Sequence, residues 1–254
     1  MMRGLFTDKV VIVTGAGGAI GRAASIGFAA EGAKVAVCDL REEAAAETVD
    51  VIRTAGGEAL LVVADVSVAE QVERMVQMTV QTFGGLDCAF NNAGITHPED
   101  SLWDEAVYRK ILDVNLISQM LCMKFEIPRM LARGKGSIVN MSSIMGIISQ
   151  REPILHGYTS SKHATIGLSK AAALQYAKSN IRVNALCPGV TRSAMVDAAM
   201  AMSDAIRDAL SNFAPLRGVA EPAEIAECAI WLCSDKSSFV TGHALVADGG
   251  YTAQ

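Results

Sequence analysis

Short apolar runs alternate with longer amphipathic stretches along nearly the whole chain, and this order restricts the folds open to it. "KVVIVT" 9–14, "KVAVCD" 34–39, "EALLVVA" 58–64, "LDCAFN" 86–91, "GSIVNM" 136–141, "IRVNALC" 181–187 and "HALVAD" 243–248 read as seven buried strands. They are short, rich in Val, Ile and Leu, and often bounded by Gly, Asp or Asn. Helical patterns over 22–32, 42–55 and 69–83 run up to Gly32, Gly56 and Gly84, where C-terminal stops belong. Two longer patterns, about 103–133 and 158–179, precede the fifth and sixth strands. Strand–helix–strand units connect by right-handed crossovers, which put helices on both faces of a parallel sheet. No linker, repeat or low-complexity tract interrupts the order. The expectation is α/β, one doubly wound domain over 1–254.

Composition narrows the function classes. A chain of 254 residues, 51% hydrophobic and 19% charged, can bury a substantial core and does not resemble a disordered one. No stretch approaches the roughly 20 apolar residues of a membrane span, and the apolar run behind the N-terminus is too short for a signal-peptide core. The expected location is therefore cytoplasmic. A net charge of −5 argues against nucleic-acid or anionic-membrane partners, which need clustered Lys and Arg. Six cysteines lie in apolar segments without metal-ligand spacing, so they read as reduced, buried side chains, and no metal site is expected.

In a doubly wound sheet, ligands bind beyond the carboxyl ends of the strands. The special residues gather there: "TGAGG" after strand one, Asp39 after two, Asp65 after three, "NNAG" after four, "SS" after five and "PG" after six. A glycine turn between a strand and a helix start can cradle a pyrophosphate, because free backbone N–H groups and the helix dipole point at it. It can equally be a plain structural turn. The fingerprint G-x-G-x-x-G fails here, since Ile20 stands where its last glycine would be. Asp39 can accept hydrogen bonds from an adenosine ribose, or cap the following helix, and the two roles are compatible. Its carboxylate would repel a 2′-phosphate, and the loop has no basic residue before Arg22, which favours NAD over NADP. Arg41, able to swing across, pulls the other way. Tyr158 and Lys162, four apart on a helix, share a face. The pair gains meaning from Ser142 or Ser143 at the end of strand five, facing the same crevice.

Taken together, these residues resemble the short-chain dehydrogenase/reductase family from about residue 6 to the C-terminus. The likeness rests on "TGAGGAIG" 14–21, Asp39, "DV" 65–66, "NNAG" 91–94, "VN" 114–115, "NMSS" 140–143, "YTSSK" 158–162, "RVNALCPG" 182–189 and "TGHALVADGG" 241–250. It implies a seven-stranded Rossmann sheet and a homotetramer or homodimer built through the two long helices. It also implies a catalytic tetrad of Asn115, Ser143, Tyr158 and Lys162, with Asn115 positioning a water that links Lys162 to solvent. The cofactor site it implies comprises Gly15, Gly17, Gly18, Ala19, Ile20 and Gly21, then Asp39 and Leu40, Asp65 and Val66, and Asn92, Ala93 and Gly94. Tyr158, Lys162, Pro188, Gly189, Val190, Thr191 and Ser193 complete it. Three departures stand out. Ala19 occupies the middle glycine of the family's T-G-x-x-x-G-x-G loop, a position that should begin the helix and tolerate a methyl group. The spacing from Ser143 to Tyr158 is about two residues longer than the family usually has. Ser193 stands where a threonine commonly holds the nicotinamide amide, a duty Thr191 could share.

The implied chemistry moves a hydride between nicotinamide and a carbinol carbon, with Tyr158 handling the proton. A free phenol has a pKa of about 10, and the Lys162 ammonium is expected to lower it. Apolar residues after Ser143 (Ile144, Met145, Ile147, Ile148, Ile154, Leu155) and within a substrate-loop or lid region at 190–214 (Met195, Val196, Met200, Met202, Phe213) suggest a neutral, apolar secondary alcohol or ketone. The tail "VTGHALVADGGYTAQ" resembles bacterial dehydrogenases of cyclic alcohols and dihydrodiols. Competing readings are an NADPH-dependent carbonyl or 3-oxoacyl reductase and a non-catalytic nucleotide-binding regulator. The regulator should have lost a tetrad residue.

Overall fold

A computed structural model of the chain describes residues 4–149 and 154–254. Seven strands, β1 (Val10–Thr14), β2 (Lys34–Asp39), β3 (Glu58–Val63), β4 (Cys88–Asn91), β5 (Gly136–Met141), β6 (Ile181–Pro188) and β7 (Ala244–Ala247), form one sheet. Every pairing is parallel and the order is β3-β2-β1-β4-β5-β6-β7. The order reverses between β1 and β4, which opens a crevice at their carboxyl ends.

Period-two alternation divides the strand side chains between two cores. Val11, Val13, Val35, Val37, Phe90 and Val139 turn to one face, covered by α1 (Ala19–Ala30), α2 (Glu42–Thr54) and α9 (Pro222–Cys233). Val10, Ile12, Ala36, Ala89, Ile138 and Val183 turn to the other, under α3 (Ala69–Phe83), α5 (Ser118–Arg133) and α6 (His156–Tyr176). Burying one such side chain is worth roughly 1.5–3 kcal/mol, and a one-residue slip would exchange the two sets. Register is therefore fixed by packing on both sides, and with it the residue that ends each strand.

The anticipated strands all form, and Gly32, Gly56 and Gly84 take positive φ behind their helices. Some helix boundaries differ from the expectation. The first helix begins at Ala19, not Arg22, because Gly18 in extended geometry already serves as its N-cap. The long pattern over 103–133 is three pieces: α4 (Glu105–Leu112), a π-turn at Asp113–Ile117, and α5. Trp103 is outside the helix in a left-handed conformation, and Asp104 caps α4 by accepting the Val107 N–H at 2.8 Å. The helix expected over 158–179, α6, starts two residues before Tyr158 and gives way to a 3-10 turn at Ala177–Ser179. Helix α9, absent from the sequence reading, opens with Pro222 at its first turn and a capping box between Glu221 and Glu224. Between β6 and α9 lie two short helices, α7 (Ala194–Met202) and α8 (Asp204–Ser211).

Candidate active site

The β1–α1 loop is tied down from two sides. Thr14 Oγ1 accepts the N–H groups of Asn92 and Ala93 at 3.0 and 3.1 Å, while Asn92 Nδ2 donates back to the Thr14 carbonyl at 3.0 Å. These bonds lace the ends of β1 and β4 across the crevice. Gly15 has φ +64°, and a Cβ on Gly21 would collide with the Gly15 carbonyl oxygen, so this loop cannot exist with larger residues there. Asp39, nearly buried at the end of β2, accepts the Gly17 N–H through Oδ2 and the Arg41 N–H through Oδ1, both at 2.9 Å. Its carboxylate thus braces the loop and the entry to α2. The N-cap residue of α2 is Arg41, whose Nε lies 3.8 Å from Asp39 Oδ1. Asp65 spends Oδ1 on the N–H and hydroxyl of Ser67, fixing the turn that presents Val66.

Ala19 is the first residue of α1, directly behind its N-cap, a helical position that accepts a methyl group. Ala19→Gly should therefore change nicotinamide-dinucleotide affinity by no more than about fivefold, since helix propensity differs by only ~1 kcal/mol. Fluorescence titration of both proteins checks this, and a larger change would mean that the methyl shapes the site.

Across the crevice, α6 carries Tyr158 and Lys162 one turn apart. The Lys162 ammonium sits 5.3 Å from the centre of the Tyr158 ring and donates to the Met141 carbonyl at 3.0 Å. Burial lowers its pKa to about 8, slightly offset by Cys187. Ser142 and Ser143 part company: Ser142 Oγ donates to the Lys162 carbonyl at 2.8 Å, whereas Ser143 Oγ accepts the Met145 N–H at 3.1 Å. The Ser143 hydroxyl also hydrogen-bonds the Tyr158 phenol, and both line the cavity. Burial raises the Tyr158 pKa above its ordinary value, with the Ser143 hydroxyl pulling it back. This corrects the expected lowering: among the protein's own groups, loss of water outweighs an ammonium already committed to a carbonyl.

Asn115 sits fully buried in the π-turn. Its Oδ1 accepts the Ile95 N–H at 2.7 Å, and its Nδ2 donates to the Ile95 carbonyl at 2.9 Å and to Ser161 Oγ at 3.3 Å. Through these bonds Asn115 holds the segment after "NNAG" against α6. A Cβ on Gly94 would come within 3.2 Å of Asn115 Oδ1 and 3.5 Å of Lys162 Nζ, so a side chain there would crowd both.

These groups line one cavity of about 1100 Å³. Its walls include Gly15, Gly18, Ala19, Ile20, Gly21, Asp39, Leu40, Asp65, Val66, Asn92, Ala93, Gly94, Ser143, Tyr158, Lys162, Pro188, Gly189, Thr191 and Ser193. Three of the sequence-predicted residues are not in the lining: Asn115, Gly17, whose N–H is spent on Asp39, and Val190, whose carbonyl pairs with Ala220 N–H. Ser193 caps α7 by accepting the Val196 N–H. Arg41, which could swing toward a 2′-phosphate, is in the lining, together with residues not singled out from the sequence, among them Ile95, Thr96, His97, Arg109 and Lys110. The position of 95–97 directly behind "NNAG" was the available signal for three of them. Of the apolar candidates, Met195 faces the cavity, Ile144 and Met145 are buried packing, and Phe213 stacks on Tyr251 at 4.2 Å. Ile154 and Leu155 line a separate pocket of about 360 Å³. The longer Ser143–Tyr158 spacing falls partly on 150–153, outside the described residues.

Among the described residues, no group of three or more His, Cys, Asp or Glu is placed to hold a metal ion, and no helix is long and apolar enough to cross a membrane. The six cysteines are free thiols, five of them buried.

A family model described as enoyl-(acyl carrier protein) reductase matches residues 15–252. The chain is 46% identical to the A-factor type gamma-butyrolactone 1'-reductase (1S-forming) of Streptomyces virginiae, over 98% of both chains. It is 43% identical to the 2,5-dichloro-2,5-cyclohexadiene-1,4-diol dehydrogenase of Sphingobium indicum, over 97% of this chain and 98% of that one. Among solved structures, a short-chain type dehydrogenase/reductase from Mycobacterium marinum superposes with a TM-score of 0.91 at 31% identity, over 98% of this chain and 97% of that one.

Proposed function

The chain belongs to the short-chain dehydrogenase/reductase family, a nicotinamide-dependent oxidoreductase acting on a secondary alcohol or ketone, and we propose that it oxidises neutral cyclic alcohols with NAD. The observation that carries this reading is the convergence of Ser143, Tyr158 and Lys162 on one wall of a cavity whose far end holds the Asp39 carboxylate. The residues fit a dinucleotide: a glycine turn at the start of α1, where a Cβ would fill the cradle, and an acidic side chain at the end of β2. Gly15, Gly18 to Gly21, Asp39, Val66, Asn92 to Gly94, Lys162 and the 188–193 segment would hold it. When bound, the nicotinamide supplies the hydride acceptor and, oxidised, a positive charge.

The chain's own residues handle the proton. The Ser143 hydroxyl, beside the Tyr158 phenol, turns its proton to the substrate oxygen and orients that oxygen toward Tyr158. The Tyr158 oxygen takes the alcohol proton as the carbinol carbon is oxidised, and returns it in the reverse direction. Lys162, anchored on the Met141 carbonyl, places its charge beside the phenol and favours phenolate. Asn115 acts as a positioning residue, holding the 95–97 segment against α6. Helices α7 and α8 contain no buried residue, and Met195 combines exposure with a place in the cavity wall, which supports a lid role for 190–214 within a single catalytic domain. Exposed Met120 and Leu131 on α5 and Leu174 on α6 support pairing through the two long helices, as a cytoplasmic homotetramer or homodimer.

A second reading has its own support: the exposed Arg41 beside Asp39 could take a 2′-phosphate, and the relative at 46% identity is a reductase. Initial rates with cyclohexanol and a cyclohexanediol, each with oxidised NAD and NADP, and with the corresponding ketones, each with NADH and NADPH, separate the two. The proposal expects at least about tenfold higher kcat/KM with NAD, which corresponds to ~1.4 kcal/mol of discrimination. A preference for NADPH and ketone would replace it with the reductase reading, and binding without turnover on any substrate would replace both with a regulator.

A further inference from the structure

The helix that carries Tyr158 begins without a cap of its own. Leu155 occupies the N-cap position of α6 and has no side-chain oxygen to offer the free N–H groups of the first turn. They are satisfied from 57 residues away. Asp100, only 3% exposed in the 3-10 turn Asp100–Leu102, accepts the Gly157 N–H through Oδ1 at 2.7 Å and the Tyr158 N–H through Oδ2 at 3.0 Å. A Cβ at position 157 would lie 3.0 Å from Asp100 Oδ1 and 3.2 Å from Ile111 Cδ1, so glycine lets the carboxylate approach without displacement. A second contact joins the same two segments: the Trp103 ring stacks on His156 at 3.7 Å and 23°.

We propose that Asp100 is a positioning residue for Tyr158: its carboxylate clamps the first turn of α6 and sets where the phenol stands relative to Ser143. The two bonds grip the backbone of Tyr158 and of its neighbour, so their loss frees the turn that carries the acid/base while the cofactor loop is untouched. General acid–base transfer needs heavy atoms within about 2.6–3.2 Å, and a misplacement of about 1 Å costs on the order of a hundredfold. The inference rests on the dehydrogenase reading above for its kinetic consequence, but not for the clamp itself.

The adjoining Asp104 provides a control, because it caps α4 in the ordinary way and its side chain makes no hydrogen bond to α6 among the described residues. Asp100→Ala should lower kcat on the order of ten- to a hundredfold, with the NAD dissociation constant unchanged within about twofold. Asp100→Asn, which keeps one acceptor oxygen, should recover much of the loss. Asp104→Ala should cost thermal stability but leave kcat near that of the wild type. Amide hydrogen exchange, read independently of activity, should quicken at 157–158 in Asp100→Ala and not in Asp104→Ala. Wild-type kcat in Asp100→Ala, an equal kcat loss in Asp104→Ala, or unchanged exchange at 157–158 would each overturn the proposal. Absence of turnover in the wild type would instead sink the dehydrogenase reading, leaving the exchange result to decide on the clamp.

Discussion

Tyr158→Phe should lose turnover by about three orders of magnitude or more while binding NAD within about twofold of the wild type. The substitution deletes one oxygen and leaves the ring, the first turn of α6 and the Lys162–Met141 bond in place. Ground-state contacts to the dinucleotide come from the glycine loop, Asp39 and Lys162, none of which the change disturbs. What disappears is the phenol oxygen hydrogen-bonded to the Ser143 hydroxyl at the substrate end of the cavity. A loss confined to kcat marks an interaction made in the transition state. Stopped-time assays with cyclohexanol together with a binding titration measure both halves. Residual activity above about a hundredth of wild type would remove Tyr158 from the acid/base role.

Glu126→Gln should stabilise the protein, and increasingly so as the pH rises. Glu126 lies on α5 with no exposed surface, and burial lifts its pKa from 4.5 to about 8, with the Asn91 hydrogen bond pulling the other way. Its Oε2 accepts Asn91 Nδ2 at 3.1 Å, while Glu126 Oε1 and Asn91 Oδ1 have no hydrogen-bond partner among the described residues. Protonation removes the charge from a side chain with no access to water, so the carboxylic acid suits this site and the carboxylate does not. Between pH 4.5 and about 8 the native state keeps a proton that the unfolded chain has released. Stability therefore falls with rising pH across that window and levels off above it. At about 1.4 kcal/mol per pH unit, the full cost is on the order of 3–5 kcal/mol. Glutamine carries no charge at either pH, so the variant should match the wild type near pH 5 and melt higher by roughly 5–10 °C at pH 9. A gain independent of pH, or a loss at pH 9, would show that Glu126 is ionised in the native protein.

Both results depend on features the sequence exposes to different degrees. Strands β2 and β5 were legible to the residue, because Val- and Ile-rich runs bounded by charge or glycine leave only one length. The carboxyl-edge residues followed, since alternation and strand end fix where Thr14, Asp39 and Asn91 stand. The pattern at 103–133 misled because its apolar spacing continues through the π-turn, which has no composition of its own. Trp103 in a left-handed conformation carries no residue signal either. The Asp100 clamp spans 57 residues and could not be read from spacing. The sign of the Tyr158 shift was missed for a related reason: the sequence shows the lysine four residues on, but not how deeply the phenol is buried. Gly17 looked like a cofactor contact by its place in the loop, yet its N–H is spent inside the protein on Asp39.

The π-turn at Asp113–Ile117 acts as a phase joint in what is otherwise one long rod. One extra residue in a helical turn rotates everything after it by about 100°. Before the joint, Ala106, Arg109 and Lys110 look into the cavity; after it, Leu121, Cys122, Met123 and Ile127 look into the sheet. The two halves therefore answer to different demands, ligand on one side and packing on the other. Substitutions at Ala106, Arg109 and Lys110 can retune the cavity mouth without disturbing the core beneath α5. Deleting a single residue within the joint would bring the halves back into phase, swing Asn115 off Ile95, and disconnect the cavity wall from the helix that supports it.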